Sequence, residues 1–158
     1  MRKLLLIVFC LPLIGLAQQT YVPDDNFENY LEANGMGDGI ALNDTVLTVA
    51  IDTLTVLDVY NLSISDLTGI EDFTALANLD CGSNNLDTLD VSNNAALTEL
   101  KCRNSSLTSL DVSSNPLLID LNCAMNYLDT LDVSNNANLT TLNCYYNPLT
   151  SLDLSANT

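Results

Sequence analysis

From Leu79 onward the apolar positions recur every 21 residues. Three segments and part of a fourth fall into register as LDCGSNNLDTLDVSNNAALTE, LKCRNSSLTSLDVSSNPLLID, LNCAMNYLDTLDVSNNANLTT and LNCYYNPLTSLDLSANT. The columns are Leu79, Leu100, Leu121 and Leu142; Cys81, Cys102, Cys123 and Cys144; Leu86, Leu107, Leu128 and Leu149; and Leu89, Leu110, Leu131 and Leu152. Val91, Val112, Val133 and Leu154 follow, then Asn94, Asn115, Asn136 and Asn157. A half-repeat is nested inside each unit, since Leu97-x-x-Leu100-x-Cys102 is echoed by Leu107-x-x-Leu110-x-Val112. An apolar-x-apolar tripeptide suits a short strand with two inward side chains, because successive side chains alternate faces. Stacked units would pair equivalent strands in parallel about 4.8 Å apart. Two such segments per turn predict a flattened coil, with ladders on both sides or with an irregular second side. One turn alone buries too little to offset its ordering entropy, so neighbouring turns must share a core.

The first turn differs. Leu57-Asp-Val59 opens it, and Ile64, Leu67, Ile70, Phe73, Leu76 and Leu79 follow at three-residue intervals. That spacing predicts a tightly wound helical segment on the outer side. Ahead of it, Asp25 reads as a helix N-cap with Glu28 as the capping-box partner. Phe27, Tyr30 and Leu31 form an apolar helical face, and Asn34-Gly35 supplies the stop. This helix is expected to cover the open end of the first core layer. The last segment breaks off in mid-repeat without a cap, which reads as a fragment of a longer protein. The expected fold is therefore a solenoid of short parallel β-strands stacked turn on turn, with an N-terminal capping helix.

The amino terminus reads separately. Arg2 and Lys3 precede an apolar run from Leu4 to Leu16, and Gly15-Leu16-Ala17 supplies small residues before Gln18. This is the layout of a cleavable secretory signal, with a retained membrane anchor as the alternative, and Val8-Phe9 lacks the small residues that would make Cys10 a lipidation site. The expected domains are a signal peptide at 1–17, a cap with a short helix at 18–53, and repeats at 54–158 in about five turns, the last incomplete. Beyond the signal only Lys101 and Arg103 oppose 20 acidic residues, a net charge of −18. Such a field disfavours nucleic acid and anionic lipid headgroups and favours cations or basic partners, besides keeping a Leu-rich exported chain soluble. The chain has no His, so it lacks the commonest general base and zinc ligand.

At these columns the sequence resembles the bacterial leucine-rich repeats of the IRREKO type, whose pattern LxxLxLxxNxLxxLDLxxN has the same nested period. It departs from them in placing Cys where Leu is usual and Ser105 where one unit should have Asn. The turn Asp66-Leu-Thr-Gly-Ile70-Glu-Asp-Phe-Thr74 is similar to internalin-like repeats. With the Tyr21-Val-Pro-Asp-Asp-Asn-Phe27 opening, the whole resembles secreted or surface proteins of Bacteroidota. The resemblance implies a leucine-rich-repeat solenoid with an extracellular interaction role, and a C-terminal sorting domain in the full-length protein. It also marks Asp44-Thr45-Val46, Asp52-Thr53-Leu54, Asp87-Thr88-Leu89 and Asp129-Thr130-Leu131 as the Asp-Thr-apolar context of O-glycosylation.

Four groups of side chains carry candidate chemistry. The Cys column invites a disulfide or a metal, but thiols stacked along one ladder and pointing the same way suit neither geometry. They read as buried free thiols acting as small hydrophobes. The Asn columns read as amides bonded to the backbone of adjacent turns. Asp90, Asp111, Asp132 and Asp153 either repel one another across solvent, which Ca²⁺ would relieve, or accept hydrogen bonds from the Ser-Asn turn that follows. Gly37-Asp-Gly-Ile40 lacks the alternating ligands of a calcium loop and reads as a turn. The outward positions of the Cys-bearing half vary, whereas those of the Asp half hardly change. They carry Tyr60, Lys101, Arg103, Met125, Tyr127, Tyr145 and Tyr146, residue types enriched at interface cores. No nucleophile–base arrangement or phosphate loop is present. The expected function is a secreted or cell-surface, non-catalytic module that binds an extracellular protein or glycan. The alternative is a calcium-stabilised spacer, or the targeting region of a larger extracellular protein.

Overall fold

The computed structural model describes residues 18–157. The signal reading of 1–17, Cys10 included, lies outside the described residues. The chain begins with a small cap. Strand β1 (Gln19–Tyr21) pairs antiparallel with β2 (Thr45–Leu47), and helix α1 (Asp25–Ala33) lies between them in sequence. A short helix α2 (Thr48–Ile51) leads into a parallel sheet of β3 (Val56–Asp58), β4 (Asn78–Asp80), β5 (Glu99–Lys101), β6 (Asp120–Asn122) and β7 (Thr141–Asn143). Leu57, Leu79, Leu100, Leu121 and Leu142 are register partners down this sheet. The fold is a leucine-rich-repeat solenoid with an N-terminal capping helix.

The core follows the sequence columns. The central leucine of each strand points inward, and from β3 to β6 it is fully or almost fully buried. Behind it lie Val59, Cys81, Cys102 and Cys123, all fully buried, and then the Leu86, Leu107 and Leu128 column. Two asparagine ladders close the turns. Asn126 donates to the carbonyls of Cys102 and Cys123 and accepts from the Leu107 amide. Asn115 donates to the carbonyls of Val91 and Asn94, and Asn136 repeats this one turn later. Each amide side chain thus satisfies carbonyls of two successive turns that a tight bend would leave open.

The coil has one ladder rather than two. Leu110 and Val112 are buried as their pattern requires, yet the second half-repeat forms no strand. Its donors are used locally: the Ser113 amide bonds the Asp111 carboxylate at 2.8 Å, and the Asn115 amide bonds the Val112 carbonyl at 3.0 Å. The expected outer helix of the first turn is likewise shorter than its spacing suggested. All six residues of that apolar series are buried, but only Ile70–Asp72 forms a 3₁₀ helix. The rest advances by isolated turns such as Leu76 to Phe73.

The cap also differs in detail. Asp24, not Asp25, is the N-cap of α1, its carboxylate accepting from the amides of Asn26 and Phe27 at 3.0 Å each. Its other oxygen accepts from the Ser65 amide and hydroxyl at 2.8 Å, joining the cap to the first repeat. Glu28 does not complete a capping box. Buried, it accepts instead from the amides of Asn43 and Asp44 and holds the loop before β2. Phe27 stacks on Phe73 with ring centroids 6.2 Å apart, so α1 covers the end of the first layer. Gly69 fits beneath this cap with φ +104°, where an added Cβ would come 2.7 Å from the Tyr21 carbonyl oxygen. The Asp38 turn is held internally, with its carboxylate accepting from Ile40, Gln19 and Asn43.

Candidate binding surface

The ends of four of the five strands share one hydrogen bond, β5 being the exception because Lys101 stands there. Asp58, Asp80, Asn122 and Asn143 each accept, through a side-chain oxygen, the amide two residues on, with distances of 3.0–3.3 Å. This fixes the direction in which the next side chain leaves the coil. That next column holds Tyr60, Gly82, Arg103, Ala124 and Tyr145. The following column holds Asn61, Ser83, Asn104, Met125 and Tyr146, all with left-handed backbone. The scaffold recurs while the side chains it displays change.

The structure brings some of the seven candidate residues together. Arg103 reaches past Gly82, which has no side chain to obstruct it, and places its guanidinium 5.0 Å from the centroid of the Tyr60 ring. Lys101 is ion-paired with Glu99 on its own strand, and that hydrogen bond, with the nearby carboxylates of Asp80 and Asp120, raises the pKa of its ammonium. Tyr145 and Tyr146 meet edge to face at 4.4 Å. Met125 and Tyr127 stand exposed one turn earlier. The surface therefore has a charged part, where both cations are engaged within the chain, and an aromatic part formed by Met125, Tyr127, Tyr145 and Tyr146.

Sequence reasoning missed Gly82, although a glycine in a column of Tyr and Arg was a readable sign. It also missed the acidic frame of this face, formed by Asp58, Asp80, Glu99 and Asp120 along the strand flanks.

The Asp90 column lies on the opposite half-repeat. Asp90, Asp111, Asp132 and Asp153 each accept the amide of the serine two residues on, at 2.8–2.9 Å. Hydrogen bonding from the serine hydroxyl and amide holds Asp90 and Asp111 below the usual carboxylate range, and amide and hydroxyl do the same for Asp132 and Asp153. Repulsion from a neighbouring Asp acts the other way and is the smaller effect. Shallow grooves run between successive turns here, lined by Ser109, Asp111, Thr130 and Asp132 and by their equivalents. Among the described residues no group of three or more His, Cys, Asp or Glu side chains converges to hold a metal ion. The column cysteines are free, and burial pushes the thiols of Cys81 and Cys123 up to about 12.

No family model matches the chain. It is 46% identical over 74 residues to Internalin J of Listeria monocytogenes serotype 4b (strain F2365), a stretch covering 47% of this chain and 8% of that protein. The solved functional domain of InlJ from Listeria monocytogenes, described as including a cysteine ladder, superposes with a TM-score of 0.81. It is 45% identical, and the match covers 90% of this chain and 32% of that one. The Leptospira interrogans LRR protein LIC12759 shares the fold at 22% identity and a TM-score of 0.62, over 66% of this chain and 29% of that one. The chain thus spans about a third of the solved InlJ domain. It is a leucine-rich-repeat solenoid similar to the internalins.

Proposed function

We propose that this chain is a non-catalytic module that works at the cell surface or in the secreted state and binds a protein partner through its strand-side surface. The observation that carries this reading is the recurrent backbone after each strand, on which Tyr60, Arg103, Met125, Tyr127, Tyr145 and Tyr146 vary from turn to turn. The Asp half, by contrast, repeats its Asp-to-serine hydrogen bond four times with almost no change. A surface that varies on a uniform frame can encode a particular partner, and Tyr, Met and Arg are the residue types that dominate interface energies. The likeness to InlJ supports an internalin-like module within a longer protein. Export through residues 1–17, an IRREKO-type register and a source among Bacteroidota belong to the same proposal.

The test has two parts. Amino-terminal sequencing of the exported protein should begin at Gln18. Cross-linking of the exported protein to its extracellular surroundings should capture a partner that Tyr127→Ser with Tyr145→Ser loses and Asp111→Asn retains. Equal capture by both variants would sink the assignment of this face.

A further inference from the structure

Five residues in one column share a left-handed backbone: Asn61 at φ 57°, Ser83 at 56°, Asn104 at 54°, Met125 at 57° and Tyr146 at 55°. In four of them a ladder bond accompanies it. The amides of Asn61, Ser83, Asn104 and Met125 bond the carbonyls of Gly82, Arg103, Ala124 and Tyr145 in the next turn at 2.7–3.0 Å. Asparagine tolerates this conformation, because its short amide bonds locally, whereas longer side chains are strained in it. Asn61, Ser83 and Asn104 fit that expectation; Met125 and Tyr146 do not. Burial does not compensate Met125, which is 50% exposed with a further turn stacked beside it. An exposed, strained residue standing where the rest of the column holds small polar ones points to function rather than folding.

Charge narrows what that function is. Lys101 and Arg103, the cations among the described residues, are engaged with Glu99 and Tyr60. What the aromatic part offers is the thioether of Met125 and the rings of Tyr127, Tyr145 and Tyr146. Tyrosine faces attract ammonium and guanidinium groups, and the chain's net charge adds to that attraction. We infer that Met125, Tyr127, Tyr145 and Tyr146 form the contact point for a protein segment that interleaves apolar side chains with lysine or arginine. This rests on the strand-side reading above and goes beyond it in naming the contact residues and the partner's chemistry.

The experiment replaces Met125→Asn and Tyr146→Asn together in the exported chain. Relief of strain should raise Tm by about 2–6 °C; an unchanged or lower Tm would overturn the strain argument. Binding is then titrated at physiological salt with three synthetic peptides, composed of Lys and Leu, Glu and Leu, and Lys and Ser, and with maltohexaose as a neutral glycan. Tyrosine fluorescence should report saturable binding of the Lys/Leu peptide alone, weakened roughly tenfold or more in the double variant. Equal affinity for the Lys/Ser peptide would mean diffuse charge attraction, and preference for maltohexaose would mean a glycan site; either overturns the proposal. If the double variant binds the Lys/Leu peptide unchanged while Tyr127→Ser with Tyr145→Ser still loses the captured partner, the surface reading stands and this one falls.

Discussion

The guanidinium of Arg103 lies 5.0 Å from the centroid of the Tyr60 ring, although a whole turn of the coil separates the two residues. Gly82 makes the contact possible. A Cβ there would come 3.1 Å from the Arg103 Cγ and 3.2 Å from its carbonyl oxygen. A double-mutant cycle of Arg103→Gln and Tyr60→Leu should therefore give a coupling of about 0.5–1 kcal/mol, the size of a partly exposed cation–π pair. Gly82→Val should abolish that coupling. A cycle that closes at zero in the native background would mean that the pair contributes nothing.

Ser105 interrupts the first asparagine ladder. Its hydroxyl oxygen is buried with no hydrogen-bond partner, whereas Asn126 at the equivalent position of the next turn makes bonds in both directions. Ser105→Asn should restore the missing bonds and stabilise the chain by about 1–2 kcal/mol. Asn126→Ala should cost about 2–4 kcal/mol by orphaning two buried carbonyls and one amide. Urea unfolding of both variants checks the pair, and a destabilised Ser105→Asn would show that the site has no room for the amide.

Asp24 links cap to coil and should make folding sensitive to acid. Burial pushes its carboxyl up, but bonds from Ser65, Phe27 and Asp66 outweigh burial and hold it below 3.8. Between the folded and ordinary pKa values the unfolded chain binds more protons, so this contribution is present above the ordinary value and lost as pH falls through the folded one. Urea unfolding from pH 5 down to pH 2 should show a steeper loss in the native chain than in Asp24→Asn. At neutral pH Asp24→Ala should cost about 1–2 kcal/mol as a lost N-cap. Parallel acid profiles would remove Asp24 from the account.

The cysteine column predicts the opposite behaviour in alkali. Burial pushes Cys81 and Cys123 up to about 12, and Cys102 well above its ordinary value. Above the ordinary thiol value of 9.0 the unfolded chain releases protons that the folded one retains. Stability should therefore fall between pH 9 and 12, by about 1.4 kcal/mol per pH unit for each such thiol. Cys81→Ala with Cys123→Ala should flatten the slope. A thiol reagent on the folded protein should modify half-buried Cys144 first and spare the three buried cysteines until unfolding. Prompt reaction of all four would contradict the buried ladder.

Much of this architecture was legible in residue order alone. A 21-residue period can be satisfied only by stacking, so the inward Leu, Cys and Val columns and both asparagine ladders followed from recurrence, as did a helix over the first layer. Each depends on spacing, a one-dimensional property. Tertiary structure decided what depends on where donors and side chains meet in space. The Leu110-x-Val112 pattern was compatible with a second ladder, and a tight turn in which the Asn115 amide bonds the Val112 carbonyl takes its place. Asp24 took the cap from Asp25 because Ser65 stands beside it, and Glu28 turned to Asn43 and Asp44 because that loop folds over α1. The seven varied surface residues were readable as a set. Their division into a charged part and an aromatic part was not, because it arises from Arg103 crossing a gap at Gly82 and from the left-handed backbone at Met125 and Tyr146.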